Sequence, residues 1–373
     1  MFAPSLLKPL ASWAKEDRVK ICVGVDIGGS GLRIRLSNVT KPTEFIDLPH
    51  IRAQSTAEAV ESFTNLETAL TELVPDFECR GAALAVAGPI KNGVVVMTNW
   101  PGDAPVRTLS VDSLPQHLFP KERTVLLNDL EAGAYGVIAA DEQKTLDSHF
   151  EQLWKNEVPA GPIVSNTRTA VAALGSGLGV AMIVKTPLLK ESLVLPCELG
   201  HLQVPSVCNK DPNCEEEYAL IQHVSNHYYG GTQMPEYEDF SSGRGIALCY
   251  QFFLKRDKNE RVPVEQINAG DVAEKARTGD KTARSAMLWC YKLFLRCCKE
   301  VATSLCCDSV LMALDNQVKN AWFVDAISDV LKEEFYNFIR PDWLKGIRVY
   351  TQIENLNFNI LGTDYMAHRL AAK

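Results

Sequence analysis

Two glycine-rich stretches and a scatter of carboxylates carry the chemistry available to this sequence. Residues 26–36 read DIGGSGLRIRL and residues 170–183 read AVAALGSGLGVAMI. Each is an apolar strand, a glycine turn and a second strand. Glycine admits positive φ and leaves the backbone N–H groups bare, which suits the close approach of phosphate oxygens. Asp26, at a strand end, is a candidate to serve magnesium directly or through water. An ordinary hairpin with a Gly-rich turn has the same letters, and the stretch alone does not separate the two.

Between them, residues 124–136 read TVLLNDLEAGAYG. The apolar Val125, Leu126 and Leu127 predict a buried strand that meets Asn128 and Asp129 and runs into helical composition. Capping a helix is the common use of such a pair. The carboxyl end of an α/β strand is also where ligands and chemistry are placed. Further along stand Glu198-Leu199-Gly200-His201 and Glu238, the latter just before Ser242-Gly243-Arg244-Gly245. His201 alone reads as structural as readily as functional. Together, phosphate cradles and carboxylates fit phosphoryl transfer from ATP to a polyhydroxylated acceptor, where positioning and one base suffice. Asp129 is the candidate base. Position 180 is Val, so G-x-G-x-x-G is not met, and no P-loop pattern occurs.

The elements that must hold these groups follow an α/β pattern. Ser55-Thr56-Ala57-Glu58 is a capping box, with Val60, Phe63, Leu66, Leu70 and Leu73 at helical spacing behind it and Pro75 closing the helix. Strands are predicted over 82–87 and 93–97. The polar region 141–168 reads as surface helix plus loop. Helices are expected from Ile246, over 264–277, 282–307, 320–338 and 362–370, with strands over 309–314 and 347–350. Cys290, Cys297 and Cys298 share one face and read as core filler. The two glycine hairpins, one in each half, point to a duplicated architecture. No linker rich in Pro, Gly or Ser separates the halves.

The chain has 373 residues, a formal net charge of −8, 46% hydrophobic and 23% charged residues, as expected of a soluble globular enzyme. The charge and the lack of a basic stripe argue against nucleic acid, and no apolar run suits a membrane span. Leu6, Leu7 and Leu10 are broken up by Pro4 and Pro9 and lack a signal-peptide core, and the chain ends Ala371-Ala372-Lys373, not the peroxisomal tripeptide. Eleven cysteines without framework spacing read as reduced thiols. Cys208 and Cys214 are a weak zinc signal, and free thiols are expected there.

The ordered set DIGGSGLR, AGP, TNWP, LNDLEAGAYG, ALGSGLGVA, ELGH and SGRG resembles the bacterial-type glucokinases, of the sugar kinase, actin and heat-shock ATPase superfamily. The resemblance runs from about residue 19 to the C-terminus. It implies a two-domain ribonuclease H-like (actin-like ATPase) α/β fold with an interdomain active-site cleft. A small domain would span 1–127 with a returning helix at about 358–373, and a large domain 128–357.

The resemblance further implies ATP- and Mg²⁺-dependent formation of glucose 6-phosphate, with Asp129 as base. Asn128, Asp129, Glu198, His201 and Glu238 would hold the sugar. Asp26, Gly28, Gly29 and Ser30 would form one phosphate loop, and Gly175, Ser176 and Gly177 the other. A homodimer is implied, in the cytoplasm or in a glycosome, a peroxisome-like organelle. Another hexose or an amino sugar is the alternative acceptor, and a non-catalytic sugar sensor the alternative role. The C-x-C-G-x-x-G-C zinc run of the related ROK kinases is absent, so no zinc is expected. The stretch Met312-Ala313-Leu314-Asp315-Asn316 lacks the paired glycines of the adenosine loop, so no adenine contacts are assigned.

Overall fold

The computed structural model describes residues 4–13, 18–205 and 214–373. The chain divides into two compact units, Met1–Thr145 with Asn357–Lys373, and Leu146–Leu356.

The first unit is built on a five-stranded sheet of β1 (Lys20–Gly28), β2 (Gly31–Asn38), β3 (Lys41–Asp47), β4 (Glu78–Val86) and β5 (Thr124–Asn128), in the order β3-β2-β1-β4-β5. β1 pairs antiparallel with β2 and parallel with β4, and β4 pairs parallel with β5. Residues 21–27 of β1 are all buried, as expected for a strand covered on both faces. Its period of two sorts the cover. Ile21, Val23, Val25 and Ile27 join the core formed with Phe63, Leu66 and Leu70 of helix α1 (Thr56–Leu73). The alternate residue Gly24 faces the C-terminal helix Phe358–Ala371, where an added Cβ would lie 2.9 Å from Asp364 N.

Helix α1 starts at Ser55, whose Oγ accepts from Glu58 N at 3.3 Å. The carboxylate of Glu58 returns to Gln54 N at 2.7 Å, one residue before the box position. Helix α2 (Asp129–Glu142) crosses the C-terminal helix at glycines. A Cβ on Gly136 would stand 2.0 Å from Phe358 O, and one on Gly362 1.8 Å from Ala132 O. This backbone-to-backbone seat keeps α2 with the first unit, so the division falls after Thr145 rather than after Leu127.

The second unit repeats the plan. Its strands are β6 (Phe150–Gln152), β7 (Arg168–Leu174), β8 (Leu178–Val184), β9 (Leu193–Cys197), β10 (Ser309–Ala313) and β11 (Arg348–Gln352), in the order β9-β8-β7-β10-β11-β6. Again a glycine hairpin joins the first antiparallel pair, and two parallel strands follow on the other side. The duplication read from the glycine turns is therefore one of strand order. β6 adds an antiparallel edge inside the region expected to be helix and loop. The expected helix over 320–338 is broken into Ala321–Ala326 and Ser328–Tyr336.

Helices α3 (Cys214–Tyr229), α4 (Gly243–Phe253) and α5 (Lys281–Ser304) join the core of this unit. Cys290, Cys297 and Cys298 are buried on α5, and burial pushes the Cys297 thiol up to about 12. Their part is packing. Arg296, also on α5, joins Glu217 at 2.5 Å and Glu334 at 2.8 Å, in a buried ion network with Lys292. The described cysteines other than Cys214 are free thiols, and Cys208 lies outside the described residues.

Candidate active site

In the first unit the β1–β2 turn is a tight pair, Gly28 opposite Gly31, with Gly29 and Ser30 at its tip. Gly31 has φ +144°, and a Cβ there would lie 2.0 Å from Ile51 O, so only glycine fits. Trp100 Nε1 donates to Gly28 O at 3.2 Å and Gln54 Nε2 to Gly29 O at 3.2 Å. The two turn carbonyls are thus tied back. Asn99, from the TNWP stretch, packs on Gly29, and its Oδ1 is buried without a hydrogen-bond partner among the described residues. Asn99 does not stand out in the TNWP stretch by residue type alone. The available signal was an Asn beside a Trp and Pro directly after a β segment.

Asp26 is 5% exposed. Its Oδ2 accepts from Arg33 Nη1 at 3.0 Å and its Oδ1 from Asn359 Nδ2 at 3.2 Å. Among the described residues no group of three or more His, Cys, Asp or Glu could hold a metal ion. Asp26 is thus a single buried carboxylate next to the glycine turn, held by one guanidinium and one amide.

Asn128 ends β5 and caps α2. Its Oδ1 accepts from Leu130 N at 3.0 Å, while Glu131 Oε2 accepts from Asn128 N at 3.3 Å. Burial raises the pKa of Glu131 against the opposing bond from Asn128 N. Asp129 opens the helix, and its Oδ1 accepts from Leu130 N at 2.8 Å. Capping and placement are the same event here. The cap fixes the first turn, and the glycine crossing behind it fixes the helix, so the carboxylate stands on a rigid strand-to-helix junction.

The second unit brings its candidates together. The 175–177 turn closes with Gly175 N donating to Gly177 O at 2.8 Å, and Gly243 N donates to Gly175 O at 3.0 Å. The SGRG stretch thereby braces the turn, with Ser242 capping α4. Glu238 Oε2 accepts from Leu178 N at 2.9 Å, and its other oxygen pairs with Arg244. A Cβ on Gly177 would meet Glu238 Oε2 at 2.4 Å, so a side chain there would push this carboxylate aside. Gly200 seats the ELGH turn on the same strand start, 2.1 Å from Leu178 O by its absent Cβ.

Glu198 is exposed, and its Oε2 lies 3.9 Å from His201 Nε2. On the far side of the ring, His201 Nδ1 bonds Glu236 Oε2 at 2.6 Å. That bond, opposed by partial burial and aided by the charges of Glu238, Glu236 and Glu198, raises the His201 pKa. Glu236 was missed from the sequence because 35 residues separate it from His201.

The glycine-free stretch after β10 holds a glycine-like backbone all the same. Leu314 has φ 75° and ψ 173°, a region essentially reserved for glycine. Its N–H donates to Gln352 Oε1 at 2.7 Å. Among the described residues no helix is long and apolar enough to cross a membrane.

A sequence-family model described as Glucokinase matches residues 23–312. "Glucokinase 1" of Trichomonas vaginalis is 52% identical over 373 residues, covering all of both chains. The crystal structure of glucokinase from Balamuthia mandrillaris in complex with glucose superimposes with a TM-score of 0.88 at 30% identity, covering 98% of this chain and all of that one. That of Leishmania braziliensis glucokinase gives 0.79 at 25% identity, covering 98% and 96%. These likenesses extend over both units, and the fold is the two-domain actin-like ATPase α/β fold of sugar kinases. The chain belongs to the glucokinase family.

Proposed function

We propose that this chain transfers the γ-phosphoryl group of ATP to the 6-hydroxyl of glucose, with Asp129 as general base. The observation that carries the reading is Asp129 at the β5–α2 junction, in a chain 52% identical over its full length to a named glucokinase. The sugar hydroxyl oxygen attacks the γ-phosphorus, the bond to the β-phosphate oxygen breaks, ADP leaves, and the hydroxyl proton passes to Asp129.

Asn128, Glu198, His201 and Glu238 hold the sugar hydroxyls in this reading, and we add Asn99, whose buried Oδ1 has an acceptor to spare. Glu238 already accepts two bonds, yet a carboxylate offers about four lone-pair sites, so a sugar hydroxyl can share it. The backbone of Gly28, Gly29 and Ser30 and of Gly175, Ser176 and Gly177 faces phosphate, with Arg244 beside the second turn. Asp26 meets the Mg²⁺ that comes with ATP. When bound, that ion neutralises charge on the phosphate oxygens.

Buried free thiols in both units, among them Cys22, Cys79, Cys249 and Cys290, support a reducing compartment, which we take as the cytoplasm, with a glycosome as the alternative. Assembly as a homodimer and the absence of zinc rest on the family resemblance. The test is ADP release from ATP and Mg²⁺ across a sugar panel. Release that requires glucose is expected. Release that requires another hexose would change the substrate and keep the chemistry, and release without sugar would overturn the reading.

A further inference from the structure

The segments on either side of the 206–213 stretch run antiparallel where they meet. Val204 N donates to Pro235 O at 2.9 Å and Tyr237 N to Leu202 O at 3.0 Å, around a bridge between Gln203 and Glu236. This short zipper sets Glu236 beside His201. Glu236 is itself held: its N–H donates to Asp239 Oδ2 at 2.9 Å, and the same oxygen accepts from Tyr229 OH at 2.7 Å. Asp239 is 4% exposed, so this anchor is fixed from inside the unit. The result is a chain from a buried carboxylate, through the backbone of Glu236, to one nitrogen of an exposed imidazole.

We propose that Glu236 is a positioning residue that clamps His201 by Nδ1 and turns Nε2–H outward as the donor to a substrate hydroxyl. The substrate half of this statement rests on the sugar reading above, and the clamp itself does not. With Nδ1–H committed to Glu236, Nε2 carries a proton only in the imidazolium form. Three carboxylates face that ring: Glu198 from its own turn, and Glu236 and Glu238 from the segment zipped to it. Arg244 neutralises Glu238 from the start of α4. From α5 the neighbour of the same turn is the Cys297 thiol, donating to Leu199 O at 3.6 Å, neutral because burial raises its pKa.

Two acidic side chains assigned to one sugar repel each other, and a protonated His201 between them offsets that repulsion. It also adds a charged donor, which carboxylates lack. Sugar affinity is then full below the raised pKa of His201 and falls as pH rises through it.

The experiment pairs two readouts on Glu236→Gln, Glu236→Asp and the wild type. Ring NMR of His201 in the sugar-free protein reports its titration, and steady-state kinetics report KM for glucose and kcat against pH. Glu236→Gln should move the His201 titration down toward the ordinary histidine value of about 6.5. It should raise KM at neutral pH roughly ten-fold, the scale of one charged hydrogen bond, and lower kcat much less. Glu236→Asp, which keeps the charge on a shorter arm, should recover most of the raised titration.

An unchanged His201 titration in Glu236→Gln overturns the proposal, as does a lowered titration with unchanged KM. If the titration falls but the wild type phosphorylates no sugar, the clamp is upheld and the sugar reading is the part that fails. A Glu236→Gln chain that does not fold leaves Glu236→Asp to decide. Its His201 titration should stay raised with KM altered several-fold, and a titration at the ordinary value would overturn the clamp.

Discussion

Gly362→Ala is the sharpest structural perturbation, because two effects of opposite sign meet at one position. Gly362 lies within the C-terminal helix, where alanine gains about 1 kcal/mol in helix propensity. Against that, the new Cβ would stand 1.8 Å from Ala132 O and 2.6 Å from Gly136 N, both backbone atoms of α2. Neither can rotate away. The two helices must separate by more than about 1 Å, losing contact along a crossing that also seats Gly136 on Phe358. Overpacking of this kind costs about 1–3 kcal/mol and reaches its upper end where backbone is struck. The net expectation is a destabilisation of about 2 kcal/mol.

The same shift moves the first turn of α2, which carries Asp129. A displacement near 1 Å at a reacting group costs on the order of a hundred-fold in rate. Urea unfolding followed by circular dichroism, with kcat measured far below the midpoint, tests both halves. A midpoint unchanged or raised by the propensity gain would refute the close crossing. A lowered midpoint with full kcat would refute the link from crossing to base.

Three further outcomes follow from single features. Leu314→Gly should raise stability by about 1 kcal/mol, since relief of a glycine-only backbone outweighs the added freedom of the unfolded chain. A lowered melting temperature would show that the Leu314 side chain matters more than its strain. Arg296→Met should cost about 3–5 kcal/mol, because it leaves Glu217 and Glu334 buried without their shared partner. A triple variant that also replaces both carboxylates with apolar residues should recover much of the loss in thermal melts.

For Glu334, burial pushes its pKa up, but the Arg296 bond and the charges of Arg296, Lys292 and Lys299 win and leave it lowered. Its contribution is therefore present above the ordinary glutamate pKa and lost as pH falls through the depressed value. Stability curves of wild type and Glu334→Gln should converge at acid pH, and parallel curves would contradict that.

The sequence announces what is local. The apolar run of β1, the hairpin glycines, the caps at Ser55, Asn128 and Ser242 and the apolar stripe of α1 are written within a few residues of one another. What it conceals is contact across long separations. Three residues, 150–152, form an edge strand in a polar region because β11, some 200 residues on, offers a free edge there. Gly136 of α2 looks like a loose helix former until the C-terminal helix is laid on it. His201 and Glu198 are legible as a pair by spacing, and Glu236 is not, since only the zipper after residue 201 brings it near. Leu314 hides the turn at the end of β10 because its side chain disguises a backbone that glycine would have announced.

The central claim is that Asp129 accepts the sugar proton, and Asp129→Asn tests it most directly. The amide keeps the size and the acceptor oxygen that meets Leu130 N, so the cap and the fold should persist. It cannot take up a proton. Turnover with ATP, Mg²⁺ and glucose should fall by about 10²–10⁴, with glucose binding by calorimetry retained within a few-fold. Turnover equal to that of the wild type would contradict the account.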